Sequence, residues 1–406
     1  MMHSGQWQGF AALRPVEEAW DWIDRHAPTP QTQLVHGKDA QDRVLADDVL
    51  APGDGPEFPL AMIDGYALRA TETVGAGLYH PLDLAIVGEV SPGQPFNGDL
   101  PAGSVVRIAV GGRLPNGADG VLPLEQGEDR EGRLEVNSPI APGENIRQTA
   151  AEFSRHAPLL RKGRLLRSQD VALLGAAGIE RVSVFRRPKV RVVAIGSELK
   201  NRPQGDPLVP DVNTAMLKHL IVRDGGELER TLLLPDDEQA IREALSAEGA
   251  DIILTVGASG AGFNDSVGRI ASTIGELPFH GLALPPAKSS GLGHIGTVLL
   301  CLLPGNPASC FIAYDFFAGR VIRLAAGRDG NWPYAERQAV AARKIVSGLG
   351  RVDYIPIRYG DGRAEPLSSG DMPTLTVLAQ ADGFIVVPTL SEGFAEEAKV
   401  PIYLFS

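Results

Sequence analysis

Three observations in this 406-residue chain predict a multidomain protein of class α/β plus β, with a central, mostly parallel α/β sheet. Strand-like and helix-like segments alternate from residue 189 to 256, the texture of a sheet covered by helices on both faces. On either side of that stretch lie short β-like runs broken by Gly and Pro clusters. The length exceeds what one hydrophobic core usually serves, so several smaller cores are expected.

In order along the chain, Val16, Trp20, Trp22 and Ile23 mark an amphipathic helix between Pro15 and His26, and irregular, Pro-rich chain begins after 44–49. Residues 1–55 with 141–187 are read as a framing domain. Residues 56–140 form a small β-rich domain, with alternating runs at 82–87 and 104–110. A short helix at 168–177 is capped by Gly178, and Arg187-Pro188 marks a boundary. The α/β domain, 188–327, has strands at 189–195, 227–234 and 251–256 and helices at 214–224 and 237–247. An apolar run at 298–303 then leads through Leu303-Pro304-Gly305-Asn306-Pro307 into a helix at 308–322. From 328 to 406, β-like runs at 353–358, 384–388 and 400–405 predict a final β domain.

In such a sheet, ligands bind beyond the carboxyl ends of the strands. The loops expected there are 196–198, 235–237, 257–265 and the turn at 303–307. In that turn Pro304 and Pro307 fix φ and lack an N–H, Gly305 is free to take φ > 0, and the amides opening the next helix are left to face an anion such as phosphate. The same residues also suit a rigid connection with no ligand.

Composition sets the partner class. With 44% hydrophobic and 22% charged residues the chain is globular, and its net charge of −12 without a basic block argues against nucleic acid or an anionic membrane surface. An anionic small ligand must therefore be held by local amides and a few cations. Cys301 and Cys310 bracket the turn without Cys-x-x-Cys spacing and are expected to be buried free thiols. His280 and His294 lack zinc spacing and are expected to be satisfied or exposed. No apolar run reaches about 18 residues and no signal peptide is evident, so a cytoplasmic location is expected.

Several segments occur in a telling order. They are 63–69 (Ile-Asp-Gly-Tyr-Ala-Leu-Arg), 111–119 (Gly-Gly-Arg-Leu-Pro-Asn-Gly-Ala-Asp), 143–147 (Gly-Glu-Asn-Ile-Arg), Asp211-Val212-Asn213, Pro235-Asp236-Asp237 and the turn 303–307. Together they resemble the molybdopterin molybdotransferase family, the MoeA proteins and the gephyrin E domain. The resemblance implies an elongated, four-part homodimer with a molybdopterin-binding type of α/β domain, a dimerising frame and a C-terminal β-barrel-like domain. Its active cleft would lie between the α/β domain of one subunit and the small domains of the other. It implies insertion of molybdate into adenylylated molybdopterin with release of AMP and with Mg²⁺. Asp64, Glu198, Asp236 and Asp265 would be the catalytic and metal-binding carboxylates, since Mg²⁺ takes a few carboxylates plus water and phosphate oxygens. Gly257, Ser259, Gly262, Lys288, Pro304, Gly305, Asn306, Arg147 and Arg351 would bind the pterin substrate. Glu152 stands where the family has an Asp.

Structural alternatives remain for these residues. Asp64 precedes Gly65 and suits an Asx turn, Asp236 or Asp237 suits a helix cap, and Arg147 and Arg351 suit the surface. Departures from the family pattern gather in the expected cleft. Its Asp-Asn-Ser-Ala-Met-Asp-Gly-Tyr reads Pro59 through Tyr66, with Asp64 kept, its Thr-Gly-Ala reads Val110-Gly111-Gly112, and its Thr-Gly-Asp-Glu-Leu reads Ile195 through Leu199. The Ser-Gly-Gly-Val-Ser-Val-Gly loop becomes Val256 through Gly262, and Lys-Pro-Gly-Lys-Pro becomes Pro285-Pro286-Ala287-Lys288-Ser289, followed by Gly293-His294 for Gly-Lys. A Ser of the last domain is replaced near Met372, with Ser368 and Ser369 close by. Each lost charge-assisted contact removes roughly 1.5–3 kcal/mol, which weakens an anion by an order of magnitude or more. A second reading follows: an altered or inactive paralogue that binds a pterin or nucleotide as carrier or scaffold.

Overall fold

The computed structural model describes residues 12–200, 210–260, 266–367 and 373–405, without the side chains of Glu198 and Lys200. The expected Asp265, Gly262, Ser368, Ser369 and Met372 lie outside the described residues. The chain forms two compact units, one of residues 34–41 and 47–182, the other of the described residues within 1–33, 42–46 and 183–406.

The first unit is built on a six-stranded sheet in the order Gly120–Pro123, Gly65–Leu68, Ser104–Ile108, Leu82–Val90, Arg133–Val136, Gly127–Arg130. Only the pairing of Leu82–Val90 with Ser104–Ile108 is parallel. Strand alternation sends Ala67, Val106 and Val121 into one core, and Tyr66, Leu68, Val105 and Leu122 into another on the opposite face. Two apolar faces explain why these short runs are apolar at consecutive positions. The helix Ser168–Ala176 follows, with Gly178 in the left-handed region just beyond it.

In the second unit a six-stranded sheet runs Glu227–Leu234, Lys189–Ile195, Ile252–Val256, Val298–Leu303, Gly291–Ile295, Glu276–His280. The first four strands are parallel and Gly291–Ile295 alone in this sheet runs against them, pairing antiparallel with both its neighbours, so the expectation of a mostly parallel sheet holds. Val190, Val192, Leu254, Cys301 and Leu303 face one core with Leu217 and Ile221 of the helix Asn213–Arg223. Val193, Ile253, Leu300 and Leu302 face the other, under Ile241 and Leu245 of Glu238–Ser246 and Ile270 of Val267–Ile274. The N-terminal helix, Val16–His26, read with the framing segment, instead buries Val16, Ala19, Trp22 and Ile23 in the first of these cores. The expected helix at 308–322 is Pro307–Ala313, a π-helical turn at Tyr314–Ala318, and Gly319–Ala325.

Ala335–Ala341, Arg363–Pro366, Asp353–Gly360, Gly383–Val387 and Lys399–Leu404 close into a five-stranded barrel. Ala339, Ile355, Ile357, Ile385, Val400 and Ile402 fill it, and closure leaves no free sheet edge. Beneath the barrel lies a buried ionic cluster. Asp224 and Asp315 are 0% exposed; Arg323 donates to Asp224 at 3.0 Å, Arg223 to Asp224 at 2.8 Å and to Asp315 at 2.9 Å, and the Tyr334 hydroxyl to Asp315 at 2.8 Å. Among the described residues no helix is long and apolar enough to cross a membrane.

Candidate active site

A cleft of about 520 Å³ opens at the carboxyl ends of the parallel strands, where chain reversals leave backbone and helix starts exposed together. Ile195 and Gly196, Val256 through Gly260, Asn213, Asp236, Ser289, Gly305 and Pro307 line it. All four loops expected at this edge contribute.

The turn at 303–307 is held from within. Asn306 has extended backbone and caps the next helix, its Oδ1 accepting from Ser309 N at 3.1 Å and Ser309 Oγ at 3.3 Å, with Pro307 at the first helical position. The expectation that the opening amides stay free is narrowed: Pro307 has none and that of Ser309 is taken by the Asn306 side chain. Gly305 does not take a positive φ either. That conformation falls to Gly257 (φ +85°), where a Cβ would sit 2.4 Å from Ile195 O. At Gly305 a Cβ would meet Gly257 Cα at 3.4 Å, an ordinary contact, so the two backbones lie close without requiring glycine at 305. Asn213 fastens the turn to its own helix by donating Nδ2 to Gly305 O at 2.8 Å.

Asp236 reaches the cleft, and its Oδ2 accepts from both the amide and the hydroxyl of Ser197 at 3.0 Å. Its Oδ1 has no protein partner among the described residues. The capping role belongs to Asp237, which accepts from Ala240 N at 2.8 Å. Asp64, in the other unit, forms no Asx turn with Gly65; its Oδ1 accepts from Val110 N at 2.7 Å and pins the 110–112 segment. Asp211, a second carboxylate of the cleft, accepts from Thr214 N at 3.1 Å. Among the described residues no three His, Cys, Asp or Glu side chains are grouped to hold a metal ion. Asp236 and Asp211 each line the cleft with one oxygen engaged and the other without a protein partner among the described residues, the kind of open carboxylate that Mg²⁺ takes beside water and phosphate.

The expected cations are mostly engaged elsewhere. Arg147 pairs with Glu152 in its own unit, and Arg351 donates to Asp353 Oδ2 at 3.0 and 3.2 Å, beside the Ser347 hydroxyl. Lys288 is exposed and does not line the cleft. Ser259 does, 3% exposed, with its carbonyl accepting from His280 Nε2 at 2.8 Å. Pro304 sits behind the lining. The thiols of Cys301 and Cys310 are buried and free, as expected, and burial pushes both well up. The sequence reading did not assign roles to Asp211, Asn213 or Ser289. For Asp211 a signal existed, an Asp three residues before the amide that it caps.

The MoeA N-terminal region (domain I and II) model matches residues 14–178, the probable molybdopterin binding domain model 191–323, and the MoeA C-terminal region (domain IV) model 338–405. The cleft lies in the middle segment. The chain is 29% identical over 413 residues to molybdopterin molybdenumtransferase 1 of Mycobacterium tuberculosis, covering 94% of this chain and 96% of that one. It is 28% identical to molybdopterin molybdenumtransferase of Haemophilus influenzae over 84% of each chain. The crystal structure of the molybdopterin biosynthesis MoeA protein of Pyrococcus horikoshii superposes with a TM-score of 0.76 at 30% identity, covering 97% of this chain and all of that one. The chain belongs to the MoeA family.

Proposed function

We propose that this protein is a molybdopterin molybdotransferase of molybdenum cofactor biosynthesis. It takes adenylylated molybdopterin and molybdate as substrates, inserts molybdenum at the dithiolene and releases AMP. The observation that carries this reading is the cleft at the strand ends, inside the segment similar to molybdopterin binding domains and flanked by matching MoeA segments on both sides. The carrier or scaffold reading is not favoured, because the relatives just described are named as transferases and align over most of their length.

Within this reading, the Gly257 to Gly260 loop and the Gly305 turn shape the pocket that seats the pterin and its phosphate. Lys288, Arg147 and Arg351 are assigned the longer-range attraction of the anionic substrate. Asp236 presents its open oxygen to Mg²⁺, and Glu198, Asp265 and Asp64 are the other carboxylates assigned to it. The bound ion would neutralise phosphate charge. Ser197 fixes the orientation of Asp236 by its two hydrogen bonds, leaving only one oxygen to rotate toward a ligand. A homodimer in the cytoplasm completes the reading.

Complementation tests it. In a strain lacking its own molybdotransferase, the wild-type chain is expected to restore molybdoenzyme activity, and Asp236→Ala to lower that activity about 100-fold. Failure of the wild-type chain to rescue at normal expression sinks the proposal.

A further inference from the structure

The cleft carries an imbalance. Its described lining includes two aspartates, Asp211 and Asp236, and no Lys, Arg or His. An anionic ligand seated there needs neutral donors near its charge. The Asn213 amide has one of its two N–H groups committed to Gly305 O. Two hydroxyls also line it, Ser259 and Ser289.

Ser259 is fixed by its burial and by His280 on its carbonyl, and its Oγ donates to Ser289 Oγ at 3.3 Å. A hydroxyl has one proton to give. That of Ser259 goes to Ser289, whereas that of Ser289 meets no acceptor among the described residues. The 3.3 Å separation is long for a hydroxyl pair, so the half-buried Ser289 is free to turn its proton toward a ligand. Both serines also stand where the family pattern has apolar residues, Val at 259 and Pro at 289. They form a pair in a chain that keeps Lys288 but has Pro285 and His294 where the family pattern has lysine.

We propose that Ser289, backed by Ser259, is a specificity-determining donor to the tetrahedral oxyanion of the ligand, a phosphate or a molybdate oxygen. This rests on the molybdotransferase reading. Calorimetry on the full chain with Mg²⁺ present, using AMP, molybdate and adenosine as separate probes, tests it. Ser289→Ala is expected to weaken AMP or molybdate by about 10-fold and to leave adenosine unchanged, with Ser289→Thr restoring most of the loss. Loss with AMP assigns the contact to the phosphate, and loss with molybdate assigns it to the inserted oxyanion. Ser259→Ala, which acts through Ser289, is expected to cost about twofold and to add nothing in the double variant. Wild-type affinity for both anions in Ser289→Ala, or an equal loss with adenosine, overturns the inference and leaves the functional reading standing. A wild-type chain that binds neither AMP nor molybdate overturns both.

Discussion

The cleft and the ionic cluster beneath the barrel use the same residue types in opposite ways. In the cluster, Asp224 and Asp315 are sealed from solvent and bonded to Arg223, Arg323 and Tyr334. Burial pushes the Asp315 carboxyl up, and the tyrosine hydroxyl of Tyr334 is pushed up by burial and then by Asp315. In the cleft, Asp236 is exposed, held at one oxygen and open at the other. Strongly perturbed groups often mark active sites. Here the perturbation marks scaffold, and openness with a family-matched position distinguishes the proposed site.

The largest expected effect breaks or upholds that contrast directly. Asp315→Ala removes a buried carboxylate, leaves half-buried Arg223 with one partner fewer, and is expected to cost about 3–5 kcal/mol of stability, read from urea denaturation midpoints. AMP affinity of the folded variant should stay within about twofold of wild type, since the cluster does not line the cleft. Asp236→Ala should do the reverse, with stability changed by no more than about 1 kcal/mol and activity lost. If Asp315→Ala unfolds no more readily than wild type, the cluster is not the scaffold described.

Next in size is a test within the cleft. Gly257→Ala places a Cβ 2.4 Å from Ile195 O at φ +85° and is expected to cost roughly 1–3 kcal/mol, with weaker AMP binding as the strand end shifts. Gly305→Ala meets only Gly257 Cα at ordinary contact and is expected to stay within about 0.5 kcal/mol. Thermal denaturation of the two variants decides. A larger loss at Gly305 would return the strained position to the turn, where the sequence pattern had put it.

That reversal shows what the sequence could and could not disclose. Strands 189–195 and 227–234 were legible because their apolar runs are bounded by turns and interleaved with amphipathic helices. The antiparallel pair Glu276–His280 and Gly291–Ile295 was not, since both runs are short and are interrupted by Pro278 in the first and by two glycines in the second. The barrel strand Ala335–Ala341 hid behind four exposed positions at its start. Loop topology located the cleft, but not which charges pair. Glu152 and Asp353 stand only five and two residues from Arg147 and Arg351, and that proximity by itself does not say that these pairs close. Arg191, within an apolar strand, is buried because it donates to Glu229 and to the carbonyls of Ala244, Ala247 and Glu248 at the end of a helix.

The smallest effect sharpens the same rule in the other unit. Burial alone would raise the Asp170 carboxyl, but hydrogen bonds from the Arg164 side chain and from the amide and side chain of Arg167 outweigh it and hold its pKa at about 2, against an ordinary 3.8. A carboxylate depressed on folding adds stability that is fully present above its unfolded pKa and fades as pH falls through the folded value. Asp170→Asn is therefore expected to cost roughly 1–2 kcal/mol at pH 7, allowing for the solvent exposure of both guanidinium groups. The difference from wild type should shrink as pH drops from about 4 toward 2. Urea melts of both proteins across that range measure it. A difference that stays constant through the range would mean that packing at the helix start, and not the ion pair, holds Asp170 in place.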